Sequence, residues 1–132
     1  MKRFGIAVLV LLVPALAGLA AAASPAFKAS LVVSTTRPKV EVPMTYTVRV
    51  TNSAGKPIAA LLTMRIADPF GGLHPVEFNE NTKLIRRHPF TGVFRNQIEW
   101  PLSAVGFTLK LQAVVTVKGQ SRVVSRMITT RE

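Results

Sequence analysis

The chain has 132 residues, 48% of them hydrophobic, with 17 lysines and arginines against 6 acidic residues and no cysteine. That length allows one ordinary domain and excludes a multidomain enzyme. The absence of cysteine excludes a disulfide framework, a thiolate metal site, a thiol nucleophile and an iron–sulfur cluster.

In chain order, Lys2 and Arg3 precede an apolar run from Phe4 to Leu19, and small residues follow at Ala20–Ala23. Charged, apolar and small segments in that order read as a signal peptide, residues 1–23, cut after Ala23. Pro14, Gly18 and the alanines disfavour an uncleaved anchor. The mature chain, 24–132, is expected to be secreted or periplasmic, with no membrane span. Removing Lys2 and Arg3 leaves 15 basic against 6 acidic residues, a formal net charge of +9.

From Ala29 onward the apolar residues recur with period two, which predicts strands, and helical periodicity is nearly absent. Ala29–Thr36 is the first expected strand. Met44–Asn52 is the clearest, with Met44, Tyr46, Val48 and Val50 on one side and Thr45, Thr47, Arg49 and Thr51 on the other. The turn formers of 52–57 reverse the chain. Ile58–Ala67 is apolar on both faces, which predicts a central strand. Two prolines and two glycines in 68–75 predict a loop, and short strands are expected at Val76–Phe78 and Lys83–Arg86. Val93–Trp100 sets Phe94, Ile98 and Trp100 on one side, with Asn96 as the polar exception; Trp100 is expected to be the largest single contributor to the core, with a place at the rim before Pro101 as the alternative. Phe107–Val117 alternates throughout, and Lys118–Ser121 turns the chain into a last strand, Arg122–Thr130. Seven or eight short strands in about 100 residues predict an all-β, immunoglobulin-like β-sandwich of about seven strands without a disulfide.

The stretch Val42-Pro43-Met44-Thr45-Tyr46-Thr47-Val48-Arg49-Val50-Thr51, then Ser53-Ala54-Gly55-Lys56-Pro57-Ile58, resembles a strand and turn of bacterial immunoglobulin-like extracellular modules. Phe90–Phe94, Trp100-Pro101 and Val115–Gly119 resemble small exported one-domain proteins of the same type. The resemblance implies a fold and an exported address, and it brings no catalytic residue. It departs from immunoglobulin domains proper in lacking both cysteines.

Catalysis is not expected. The chain has no G-x-S-x-G, and Glu77, Glu80 and Glu99 are the few carboxylates that could pair for glycoside cleavage. No cofactor is implied. A copper carrier or metal chaperone would need His74 and His88 with Met44, Met64 or Met127, but the histidines precede prolines in loops and two of the methionines fall on core faces. A calcium site from Asp68, Glu77, Asn79, Glu80 and Asn81 lacks any known loop spacing. Two binding candidates remain. In the Asp68–Glu77 loop, Phe70, Leu73 and His74 form either a tip for a partner or, as the preferred reading, a plug in which Phe70 and Leu73 tuck under the sandwich. Lys83, Arg86 and Arg87 beside His88 are the candidate contacts for an anionic polymer, or keep an edge strand solvated. Scattered bases without a dense stripe argue against specific nucleic-acid binding. The expected function is non-catalytic binding or adhesion at a bacterial cell envelope, to an envelope protein or an anionic cell-surface polymer, with two alternatives: a periplasmic copper carrier or chaperone using His74 and His88, and an accessory subunit of a larger exported protein.

Overall fold

Alternation becomes architecture when the apolar sides of two sheets are pressed together. In the computed structural model, which describes residues 26–132, eight strands run β1 (Phe27–Val33), β2 (Met44–Asn52), β3 (Ala59–Ala67), β4 (Leu73–Pro75), β5 (His88–Thr91), β6 (Val93–Ile98), β7 (Thr108–Val117) and β8 (Gln120–Thr129). One sheet has the order β1-β2-β6, and the other runs β4-β3-β7-β8 with β5 also paired to β3. All the pairings are antiparallel. The molecule is therefore an all-β sandwich. The expected signal peptide lies outside the described residues.

The core is the set of side chains the alternation selects. Met44, Tyr46, Val48 and Val50 from β2 meet Leu62 and Met64 from β3 and Leu111, Ala113 and Val115 from β7, all buried. Each such aliphatic side chain contributes about 1.5–3 kcal/mol when taken out of water, which stabilises a domain with no covalent cross-link. The two apolar faces of 59–67 have the expected cause, since β3 is central, with β7 on one side and β4 and β5 on the other.

Several elements differ from expectation. Val76–Phe78 and Lys83–Arg86 are not strands. They form the two arms of an excursion between β4 and β5, joined by the isolated bridge Glu77↔Leu84 and by Ile85 N donating to Val76 O at 2.8 Å. Buried Val76 and Ile85 peg the excursion to the core, and Met64 N donates to Ile85 O. Leu73–Pro75, expected as loop, is the short strand β4. The first strand starts at Phe27 and ends at Val33, and the last starts at Gln120, because the turn needs only Lys118 (φ 50) and Gly119 (φ 80). Trp100 lies in the core as expected, 1% exposed, and only the rim alternative falls. Phe107 precedes β7 and stays 42% exposed, so the alternation stops being inward one position early. Asn96 is buried as the pattern implied, and its carboxamide ties down the excursion. Its Oδ1 accepts from Asn79 N at 3.0 Å and its Nδ2 donates to Glu80 Oε1 at 3.2 Å.

The open side of the sandwich is guarded. Residues 36–40 run parallel to the chain after β8, with Thr129 N donating to Thr36 O and Arg131 N to Pro38 O. Farther along the same edge, Arg126 Nε donates to Leu31 O at 2.7 Å, and the Arg122 guanidinium lies 5.8 Å from the centre of the Phe27 ring. Inward-pointing guanidiniums on an edge strand obstruct the docking of a foreign strand.

Two expectations follow for stability. Trp100→Ala should lower the unfolding free energy by about 3–5 kcal/mol in urea titration, whereas Phe70→Ala should change it by less than about 0.5 kcal/mol. Tyr46 is fully buried, its hydroxyl has no partner among the described residues, and burial, reinforced by the Glu80 carboxylate, pushes the phenol well above its ordinary value. The neutral phenol's contribution is complete below about pH 10, where the unfolded chain's tyrosine titrates, and is lost as pH rises toward the folded value. Tyr46→Phe should therefore match or exceed the parent's stability at pH 7 and outlast it increasingly above about pH 10, measured by thermal unfolding across pH.

Candidate functional site

Asp68 builds the loop at the β3–β4 end of the larger sheet. Its Oδ1 accepts from Phe70 N and Gly72 N, both at 2.8 Å, while its Oδ2 lies 2.6 Å from His74 Nε2. Asp68 N donates in turn to Gly72 O at 2.9 Å. A Cβ on Gly72 would fall 2.5 Å from Asp68 Oδ2, so a larger residue would have to displace the carboxylate from this closure. The knot lifts Phe70 into solvent, 82% exposed, with its ring edge-on to Phe107 at 6.1 Å. Leu73 is 59% exposed on β4. Phe70 and Leu73 thus form a tip, and the expected plug is overturned: the tight turn, locked by Asp68, points away from the gap between the sheets.

His74 and His88 occupy different surroundings. His74 faces Ile66 across the β3–β4 pairing and is held by Asp68, whereas His88 faces Leu62. Four residues of strand separate those positions, about 13 Å at strand rise. The His88 ring sits among aromatics, with centroids 5.0 Å from Phe78 and 5.4 Å from Phe94. Met44 and Met64 are buried core residues, and Met127 is exposed on β8. Among the described residues, no three histidine or carboxylate side chains gather in a metal-holding group.

The basic candidates do not form one cluster. All three are exposed, but Arg86 and Arg87 face two different hollows on the outer side of the larger sheet and Lys83 lines neither. Arg86 borders a hollow of about 210 Å³ together with Arg65 and His74. Arg87 borders one of about 640 Å³ with Lys118, Thr91, Thr116 and Ser121, above a floor that includes Leu61 and Pro89. The backbone brings Arg87 there: its φ is 47°, and its N–H donates to Thr63 Oγ1 at 3.0 Å. Lys118 was passed over as a turn residue. The available signal was the turn itself, because a two-residue Lys-Gly turn ends β7 beside the β3–β5 pairing and leaves the lysine exposed there.

Charge pairing is almost absent. The His74–Asp68 contact is the one salt bridge among the described residues, so no lysine or arginine there lies within 4.0 Å of an aspartate or glutamate side-chain oxygen. No helix of the described residues is long and apolar enough to cross a membrane.

No protein-family model matches the chain, and no curated protein matches it. Among solved structures, it is similar to a domain of the outer membrane lipoprotein Omp28 from Porphyromonas gingivalis, at 12% identity over 80% of this chain and 99% of that one, with a TM-score of 0.40.

The Asp68 knot has a pH signature. The His74 hydrogen bond, followed by those from Gly72 N and Phe70 N, holds the Asp68 carboxyl below its ordinary value of 3.8. Its ordering of the loop is present above that ordinary value and is lost as pH falls through the lower folded one. An NMR titration should show the Phe70 and Gly72 amides shifting together below about pH 4, and Asp68→Ala should abolish that shared transition while leaving the core signals in place.

Proposed function

We propose that the chain is an exported, immunoglobulin-like binding module without catalysis that engages anionic polymer at the cell envelope. The strand order supports the immunoglobulin-like assignment. In that fold's lettering, β1, β2 and β6 stand where A, B and E pair, and β3, β7 and β8 where C, F and G pair. The leader-like composition of 1–23 supports export.

The observation that carries the binding assignment is the unpaired basic surface. The mature chain's 15 lysines and arginines face 6 acidic residues, and no lysine or arginine is paired with an aspartate or glutamate side chain on the described surface. A field of one sign on a rigid body concentrates polyanions of opposite charge, and screening by salt weakens it. The two sheets present cations on both outer faces, with Lys28, Arg49 and Arg95 on the smaller one and Arg65, Arg87 and Lys110 on or beside the larger.

A second reading, an accessory subunit docked on a larger exported protein, draws on the exposed Phe70–Phe107 pair, an apolar tip suited to a protein surface. Strand addition along β8 is a poorer route to the same partner, because Arg122 and Arg126 reach across that edge.

Retention of residues 24–132 on beads carrying envelope extract from the source cell decides between the two. The polyanion reading predicts that anionic polymer is held at about 0.05 M salt and released at about 0.5 M. One stoichiometric protein that survives the high-salt wash, with no polymer held at low salt, contradicts it and favours the subunit.

A further inference from the structure

We infer that the outer face of the larger sheet is a linear binding site for an acidic polysaccharide, laid along β3 from Lys118 to His74. This inference rests on the polyanion reading and specifies where and by what chemistry the polymer is held. The outward residues of β3 are Leu61, Thr63 and Arg65, and they run beneath both hollows. Leu61 floors the larger, Arg65 and Thr63 line the smaller, and Thr63 Oγ1 anchors the Arg87 backbone between them. From Leu61 to Arg65 is about 13 Å along the strand. Cations follow the whole track, with Lys118 and Arg87 at the larger hollow and Arg86 and Arg65 at the smaller.

No carboxylate lines either hollow among the described residues. Asp68, bonded to His74, stands at the far end and closes the track there. A string of cations alone would accept any polyanion. What points to sugar is the rest of the larger hollow. Thr91, Thr116 and Ser121 supply hydroxyls, and Ala59, Leu61 and Pro89 give an apolar floor for the C–H face of a sugar ring. Thr116 Oγ1 and Ser121 Oγ lie 2.7 Å apart, a prearranged pair that can share hydrogen bonds with a ligand hydroxyl. Bases at intervals then meet the carboxylates of a uronic acid polymer.

The backbone offers a clean test. Arg87 and Lys118 both have positive φ, a region asparagine tolerates well, and Asn-Gly is a preferred two-residue hairpin turn. Arg87→Asn with Lys118→Asn therefore removes two charges from the track without a folding penalty. Lys28→Gln with Arg49→Gln removes two charges from the smaller sheet's outer face, as a matched control. Affinity for polygalacturonate is measured by isothermal titration at low salt, with inorganic polyphosphate as competitor. The expected result is a loss of about ten-fold for the track variant and less than about three-fold for the control, with polyphosphate competing less well per charge than polygalacturonate. Equal losses in the two variants overturn the site and leave the polyanion reading in place. Polyphosphate competing equally well per charge overturns the sugar assignment. Failure of the parent protein to bind either polymer at low salt removes the site and the polyanion reading together.

Discussion

Two apolar sheet faces, pressed together with no covalent link, are the constraint on which this molecule depends. A domain of this size without cysteine must hold itself by burial, so the inward positions of β2, β3 and β7 are taken almost wholly by aliphatic and aromatic side chains. Polar groups admitted to the interior are few. Asn96 is fully engaged by the excursion that crosses it, whereas the Tyr46 hydroxyl and the Trp100 indole N–H have no partner among the described residues. Those two rings fill volume at the cost of a stranded polar atom each.

With the interior closed to charge, every cation is displaced to an outer face, a turn or an edge. The edge is where charge and fold meet most directly. Arg126 satisfies the Leu31 carbonyl that a ninth strand would otherwise take, and Arg122 lies over Phe27, so one pair of residues both completes the sandwich side and keeps it from pairing with neighbours. On the sheet faces Arg65 Nε donates to Gln112 Oε1 and Arg95 Nε to Thr47 Oγ1, neutral partners on neighbouring strands that leave the positive charges uncompensated. Without carboxylate side-chain partners they leave a field of one sign on both outer faces, and the rigidity of the sandwich holds them at fixed spacing.

Much of the fold was legible because period-two patterning reports burial directly. Met44–Asn52 was bounded correctly to the residue, and the two-sided apolar character of 59–67 identified its central place. Patterning failed where burial was not continuous. Val76 and Ile85 are single pegs, and a strand reading built on either side of them mistook two anchored loop arms for ladder. β4 escaped notice because three residues between a glycine turn and a proline are too few to show a period. The site was less legible than the fold. Adjacent Arg86 and Arg87 read as one cluster, yet the left-handed backbone at Arg87 turns them toward separate hollows, and the partner of Arg87 there is Lys118, thirty-one positions away. Proximity of that kind comes from strand order, which spacing along a chain does not encode. Phe70 failed for a local reason, since the Asp68 knot, and not hydrophobicity, decides where that ring points.

If the shared apolar interface is the main tie between the sheets, neither can persist without the other. Native-state amide hydrogen exchange measures this directly, by comparing the opening free energies of protected amides in β2 with those in β3 and β7. The account predicts one common value for the slowest amides of both sheets, equal to the global unfolding free energy. A larger sheet that keeps its protection while β1, β2 and β6 exchange through a separate, lower-energy opening would contradict it.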